Sequence, residues 1–193
     1  MEEMTSERIR RLLVSAFATD KRQSLSLEGF STAGVLVPLV NAGAEYEFLL
    51  TKRTETVETH KGQISFPGGM AETHDADIIA TALRETDEEI GLGRAAIEVI
   101  GLLDDLPTPT GFVITPVVGM VETLPALAPN PHEVAEILRV PFSFFAETRN
   151  ARKEMREFRG TQREVWYYET GGHTIWGATA MIIRSLLTRL GLP

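Results

Sequence analysis

The sequence predicts a protein of the α/β class, α+β in type, in which helices pack on the faces of a central mixed β-sheet. Two observations support this prediction. Predicted strands, which are short, apolar and rich in β-branched or aromatic residues, outnumber the helices. The helices also interrupt the strands at irregular intervals, unlike a regular strand–helix–strand repeat. The length of 193 residues suits one domain, residues 1–193, with a sizeable core.

The first half of the chain contains two predicted helices with three strands between them. An amphipathic helix at residues 4–17 places a row of apolar side chains on one side: Ile9, Leu12, Leu13 and Phe17. The runs AGVLVPLV (33–40) and YEFLLTKR (46–53) predict strands, and GQISFPGG predicts a third that continues into a glycine-rich loop. Residues 77–90 follow with helical periodicity, and Gly91 is a natural helix end.

The second half of the chain adds further strands and a closing helix. The segments IEVIGLLDDL (97–106) and FVITPVVGMVE (112–122) predict strands, and residues 133–147 predict a strand, a turn and a short helix. Residues 156–170 predict a hairpin that turns near Gly160. The last helix runs from about Trp176 to Leu190, with one apolar face: Ala180, Ile183, Leu187 and Leu190.

Composition and charge exclude several classes of function. The chain has no cysteine, which rules out disulfides, thiolate nucleophiles and cysteine-ligated metals. A net charge of −8 argues against a general nucleic-acid binder but is compatible with a small phosphorylated substrate held by local cations or a metal. The N-terminus does not resemble a signal peptide, and no apolar run reaches the roughly 20 residues of a membrane span. We therefore expect a cytoplasmic protein.

The predicted helix 77–90 carries an unusual acidic cluster. Glu85, Glu88 and Glu89 fall within about 100° of one another around the helix axis, apart from the stripe that suits packing on a sheet: Ile79, Ala82, Leu83, Thr86 and Ile90. Like charges at this spacing repel by roughly 0.2–0.5 kcal/mol per pair. Oxygen ligands of this kind suit a hard divalent cation such as Mg²⁺. For an isolated ExxEE pattern, a solvated acidic face is the commoner explanation.

The residues around the acidic cluster favour a metal site. FPGG (66–69) precedes the helix at short range, and its glycines permit close backbone approach. Together these residues resemble the Nudix box, which spans 69–91 here: Gly69 opens it and RETDEEIG (84–91) matches its second half. Thr86 takes an apolar slot, Asp75 takes the slot of the first Glu, and the gap from Asp75 to Arg84 is one residue longer than usual.

The resemblance to Nudix hydrolases implies a fold, a cofactor and a set of site residues. The implied fold is an α/β/α sandwich, and the implied cofactor is Mg²⁺ or Mn²⁺. Its ligands would be Glu85, Glu88, Glu89 and the carbonyl of Gly68. Arg84 would orient Glu85, and the general base stays open among Glu88, Glu89 and Glu133, with Glu136 a weaker candidate.

A longer segment resembles the coenzyme A pyrophosphatase subgroup. In LLTKRTETVETHKGQISFPGG (49–69) the subgroup pattern is matched at Leu49, Leu50, Thr51, Arg53, His60, Gly62, Phe66 and Pro67. Thr54 stands in for Ser, and Glu58 occupies an Arg slot, where it either faces the substrate phosphates or points to solvent. The segments 109–116, 131–141 and 175–183 also resemble the subgroup. The implied reaction converts coenzyme A to 4′-phosphopantetheine and adenosine 3′,5′-bisphosphate.

Several residues have both a functional and a structural explanation. His60 is either a structural hydrogen-bonding residue or a substrate contact, and Arg53 and Lys61 are either surface charges or phosphate ligands. Gly69 completes the predicted substrate contacts. We expect a small-molecule substrate, no nucleic acid and no membrane, and we leave a homodimer open. The alternative functions are a Nudix hydrolase for ADP-ribose, NADH or a dinucleoside polyphosphate, and a non-catalytic binding module, which the intact RETDEE disfavours.

Overall fold

A computed structural model describes residues 3–19, 22–55, 61–158 and 160–193. The α-helices in these ranges are α1 (Ser6–Ala16), α2 (Ile78–Ile90), α3 (Phe142–Ala146) and α4 (Gly177–Arg189). The first strands are β1 (Ser31–Asn41), β2 (Tyr46–Arg53), β3 (Ile64–Ser65), β4 (Gly68–Met70), β5 (Glu98–Leu102) and β6 (Leu106–Pro107). The later strands are β7 (Phe112–Val121), β8 (Val134–Pro141), β9 (Ala151–Phe158), β10 (Thr161–Thr170) and β11 (His173–Trp176).

The central sheet is mixed, as the sequence predicts. Its strands follow the order β3-β2-β1-β7-β5, with β8 paired to β2, β4 to β1 and β6 to β7. The long pairing of β1 with β7 is parallel, and the other pairings of this sheet are antiparallel. Both long strands are apolar and buried along most of their length, which fits strands covered on two faces.

Helices cover both faces of this sheet. Helix α2 packs on one face, where Ala82 and Leu83 meet Leu36 and Val117. It lies so close to β1 that a Cβ at Gly34 would come within 2.6 Å of the Ile78 carbonyl oxygen. The opposite face holds the main core, which joins α1, α3 and α4 through buried residues that include Ile9, Leu13, Phe145 and Ile183. The predicted α/β/α sandwich is therefore confirmed. No helix in the described ranges is both long and apolar enough to cross a membrane.

A second, three-stranded sheet of β9, β10 and β11 departs in part from the prediction. The hairpin that turns near Gly160 is present, but its first strand begins at Ala151, five residues earlier than predicted. The sequence does not predict β11, since its periodicity places Trp176 at the start of the last helix; Trp176 is instead the end of a strand that pairs with β10. Similarly, the predicted strand 97–106 divides into β5 and the two-residue strand β6.

Candidate active site and metal centre

Helix α2, which carries the acidic side chains, has well-defined ends. The carboxylate of Asp77 accepts a hydrogen bond from the Ala80 amide (2.8 Å) and caps the N-terminus. Gly91 ends the helix in the left-handed conformation (φ 69°). Thr86 is tolerated in its buried apolar slot because its hydroxyl donates to the Ala82 carbonyl (2.6 Å). Two of the acidic side chains of this helix, Glu85 and Glu89, lie next to β4.

The double glycine lets a carboxylate lie directly against the backbone of β4. This strand pairs with β1, with Gly69 opposite Gly34 and Gly68 opposite Val35. A Cβ on Gly69 would lie 2.4 Å from the carboxylate carbon of Glu85. Gly68 has φ 152°, and a Cβ there would lie 2.5 Å from the Gly34 carbonyl oxygen. A larger residue at either position would displace the carboxylate or the strand.

Glu89 is the most buried of the acidic side chains on α2. The pKa of Glu89 is raised to about 7, chiefly by burial and also by repulsion from Glu133 and Glu85, against the lowering effects of Arg53 and the Gly68 backbone. Its Oε1 lies 3.7 Å from Nη1 of Arg53, and only 6% of its side chain is exposed. Its Oε2 is buried without a hydrogen-bond partner among the described residues. A buried, unsatisfied carboxylate oxygen of this kind suits a metal ligand.

Glu85 and Glu88 differ in exposure. Burial also raises the pKa of Glu85, against the lowering effect of Arg84, and the charges of Glu88 and Glu133 raise it further. The Glu88 side chain is 60% exposed and accepts a hydrogen bond from Nη1 of Arg84 (3.2 Å). Glu85 and Glu89 thus lie toward the interior of the site, and Glu88 lies at its rim.

Arg84 joins the acidic helix to the loop before it. It donates to both carboxylate oxygens of Asp75 (3.0 and 3.1 Å), to the Met70 carbonyl (3.1 Å) and to Glu85 (2.8 Å). This pairing holds the pKa of Asp75 well below its usual range, and hydrogen bonds from the Glu72 amide and the Thr81 hydroxyl add to the effect. The pairing with Asp75 was not predicted, although the register of the Nudix box pointed to this position.

Glu133 reaches the same cluster from a distant part of the chain. The loop before β8 packs on the end of α2, where the Asn130 amide donates to the Glu89 carbonyl (2.8 Å). The Asn130 side chain then donates to Oε1 of Glu133 (2.9 Å), and the Glu133 carbonyl accepts from the Thr54 amide (2.9 Å). Glu136 is instead exposed on β8, where its carboxylate lies 3.5 Å from Nε2 of His173.

The remaining predicted site residues have different placements. Arg53 lies at the cluster, and Lys61 is exposed at the end of the loop that leads into β3. His60 and Glu58 lie outside the described residues. Across the described part of the chain, no three His, Asp or Glu side chains are arranged to hold a metal by themselves. Carboxylate oxygens such as those of Glu85 and Glu89 are nevertheless ligands of the kind that Mg²⁺ binds together with water and substrate oxygens.

Comparison with known proteins shows which families and chains this sequence is similar to. Residues 31–166 match the NUDIX domain family. A relative named as an uncharacterized Nudix hydrolase NudL, from Photorhabdus laumondii, is 40% identical over 154 residues, which cover 80% of this chain and 82% of the relative. The chloroplastic Nudix hydrolase 22 of Arabidopsis thaliana is 35% identical over 186 residues, covering 87% of this chain and 62% of that protein.

Solved structures support the same fold. The RenU Nudix hydrolase of M. smegmatis superposes with a TM-score of 0.51 at 21% identity, covering 61% of this chain and 74% of RenU. The protein DR0079 of Deinococcus radiodurans superposes with a TM-score of 0.53 at 11% identity, covering 80% of this chain and 81% of DR0079. At these identities, the two structures show a shared fold and nothing about the substrate.

Proposed function

The chain belongs to the Nudix hydrolase family, enzymes that act on pyrophosphate bonds, and we propose that its substrate is coenzyme A or a derivative of it. The products would be 4′-phosphopantetheine and adenosine 3′,5′-bisphosphate. The observation that carries this proposal is the segment 49–69, which resembles the coenzyme A pyrophosphatase subgroup and ends in the FPGG of the site.

The position of this segment supports a role in substrate recognition. Its two arms pair as β2 and β3, with Thr51 opposite Ser65, and the Arg53 amide donates to the Gln63 carbonyl (3.0 Å). Arg53, at the end of β2, therefore lies beside Glu89 and is hydrogen-bonded to the residue that precedes β3. A motif that distinguishes one substrate from another is expected at such a position, next to the reacting pyrophosphate.

We propose that Glu85 and Glu89 hold Mg²⁺ or Mn²⁺, with Glu88 at the rim and the Gly68 carbonyl as a further ligand. The bound cation would neutralise charge on the pyrophosphate and acidify a water molecule. Glu133 is our preferred general base over Glu88 and Glu89, because it faces the cluster from a separate loop and its carboxylate is oriented by Asn130.

The remaining groups position the ligands and the substrate. Arg84 holds Glu85 and does not contact the substrate, because its donors are taken up by Asp75, Met70 and the helix carboxylates. We assign substrate contacts to Arg53, His60, Lys61 and Gly69. The proton of the attacking water passes to the base, the water oxygen bonds to phosphorus, and the bridging oxygen leaves with the other phosphate.

A substrate panel tests the proposal. Purified protein is incubated with coenzyme A, ADP-ribose, NADH and a dinucleoside polyphosphate, each with Mg²⁺ and with Mn²⁺. We expect kcat/KM for coenzyme A to exceed that for ADP-ribose at least roughly tenfold, which corresponds to about 1.4 kcal/mol. Chromatography should identify 4′-phosphopantetheine among the products.

The Glu89→Gln protein, purified in the same way, controls for contaminating hydrolases. A preference for ADP-ribose, NADH or the dinucleoside polyphosphate would replace coenzyme A with that substrate. Absence of turnover across the whole panel, with both metals, would instead favour the non-catalytic module.

A further inference from the structure

Arg53 reaches the carboxylate cluster from a point where the sheet is irregular. It is the last residue of β2, and the pairing of β2 with β8 shifts register between Lys52 and Arg53. Such bulges redirect a side chain and are frequent beside active sites. The backbone on either side is held by hydrogen bonds from the Arg53 amide to Gln63 and from the Thr54 amide to Glu133. The backbone that carries the Arg53 guanidinium is therefore held in place by the sheet and by the segment of Glu133.

The ion pair between Arg53 and Glu89 is incomplete on both sides. Its 3.7 Å separation allows Coulomb attraction but is too long for a hydrogen bond. Within the described ranges, Nε of Arg53 and Oε2 of Glu89 are both buried without a hydrogen-bond partner. Unsatisfied buried groups of this kind are costly and uncommon. The site therefore holds one donor that suits an anionic oxygen and one acceptor that suits a cation.

The other arginine of the site is bound very differently. Arg84 donates hydrogen bonds to two carboxylates of the helix and to both oxygens of Asp75. Arg53 contributes its charge near Glu89 without such bonds to any described residue. With 26% of its side chain exposed, it can reach a ligand. Arg84 is thus fixed in place, whereas Arg53 can change partner at little cost in hydrogen bonds.

We propose that Arg53 exchanges partners during the reaction cycle. In the metal-free protein its charge stands in for the cation and balances Glu89; when the cation binds, the guanidinium leaves Glu89 and donates to the substrate's phosphate oxygens. This inference rests on the proposed metal-dependent diphosphatase activity but not on coenzyme A as the substrate. Arg53 and the cation compete for Glu89, and Arg53 favours the diphosphate only once the cation is in place.

Calorimetry with Mg²⁺ alone tests the competition. At pH 8, Arg53→Gln should bind Mg²⁺ roughly tenfold more tightly than the unmodified protein, because one opposing charge has been removed. The same variant without metal should melt at least about 2 °C lower, because Glu89 has lost its balancing charge. Arg139→Gln is the matched control, since Arg139 makes an exposed ion pair with Glu47 on the same strand pair (2.6 Å); it should change neither quantity.

Two further variants separate the possible outcomes. Arg53→Lys keeps the charge but not the planar fork, so Mg²⁺ affinity should be retained while KM rises for whichever diphosphate is turned over. Unchanged or weaker Mg²⁺ binding by Arg53→Gln would overturn the proposal. If that variant does not fold, it is combined with Glu89→Gln, which removes the uncompensated charge. A double variant that still does not fold would show that Arg53 acts independently of Glu89, and would also overturn the proposal.

Discussion

Three glutamates on one helical turn have three different environments. Glu89 is buried against the sheet, Glu85 lies on the backbone of Gly69, and Glu88 is exposed at the rim. The sequence predicted the cluster because helical spacing alone places these side chains on one side of the helix. It could not rank their burial, because that depends on β4 and on the loop that carries Glu133. The buried pair should therefore dominate metal binding.

We expect Glu85→Gln and Glu89→Gln each to lower kcat/KM by at least about a hundredfold, because a lost metal ligand removes several kcal/mol of charge stabilisation. Neither change should destabilise the metal-free protein, because burial already disfavours the charged form of each carboxylate and repulsion within the cluster adds to this effect. Steady-state kinetics and thermal melts with a metal titration measure the two effects. Asp87→Asn, an exposed acidic change on the same helix, is the control. Normal turnover in both glutamine variants would refute the metal assignment.

At the scale of elements, the sequence predicted the main sheet and α2 well. It did not predict features that depend on contacts between distant parts of the chain. The strand β11 has only four residues and is followed directly by Gly177 (φ 63°), the first residue of α4, so Trp176 was compatible with either element. The approach of Glu133 depends on the loop that caps the end of α2. The pairing of Arg53 with Glu89 brings the end of β2, at its register shift against β8, next to helix α2. Neither contact leaves a periodic signal in the sequence.

The pairing of Asp75, in the loop before α2, with Arg84 of the helix should make the stability of the protein depend on pH. Because the pKa of Asp75 is depressed in the folded protein, its contribution is fully present above its unfolded pKa of about 3.9. That contribution is lost as pH falls through the lower, folded pKa. Asp75→Asn should therefore reduce the melting temperature at neutral pH, and the difference should shrink toward pH 2. Circular dichroism melts from pH 2 to 8 measure this, and a difference that is constant with pH would contradict the pairing with Arg84.

At the scale of the whole molecule, the helices at the two ends belong to the same core as the residues that match the family. Helix α1 and helix α4 lie outside residues 31–166, yet Ile9, Leu13 and Ile183 are fully buried in one cluster with Phe48 of the central sheet. Polar contacts add to this docking, since Arg10 of α1 pairs with Glu98 (3.0 Å) and with Glu122 (2.5 Å). Glu122 also accepts from the Tyr46 hydroxyl (2.5 Å), and burial raises the pKa of Tyr46 to about 12.

This shared core predicts that residues 1–193 unfold as one cooperative domain. Leu13→Ala should lower the free energy of unfolding by about 2–5 kcal/mol, because it leaves a cavity between α1 and the sheet. Val14→Ala is the matched control: Val14 is 52% exposed on the same helix, so the change should stay within about 0.5 kcal/mol.

Urea unfolding is followed by circular dichroism and by the fluorescence of Trp166 and Trp176, which lie in the second sheet and its last strand. In both variants the two probes should report one midpoint. A Leu13→Ala protein that loses helical signal at lower urea than tryptophan signal would show that α1 docks on a core that is stable without it.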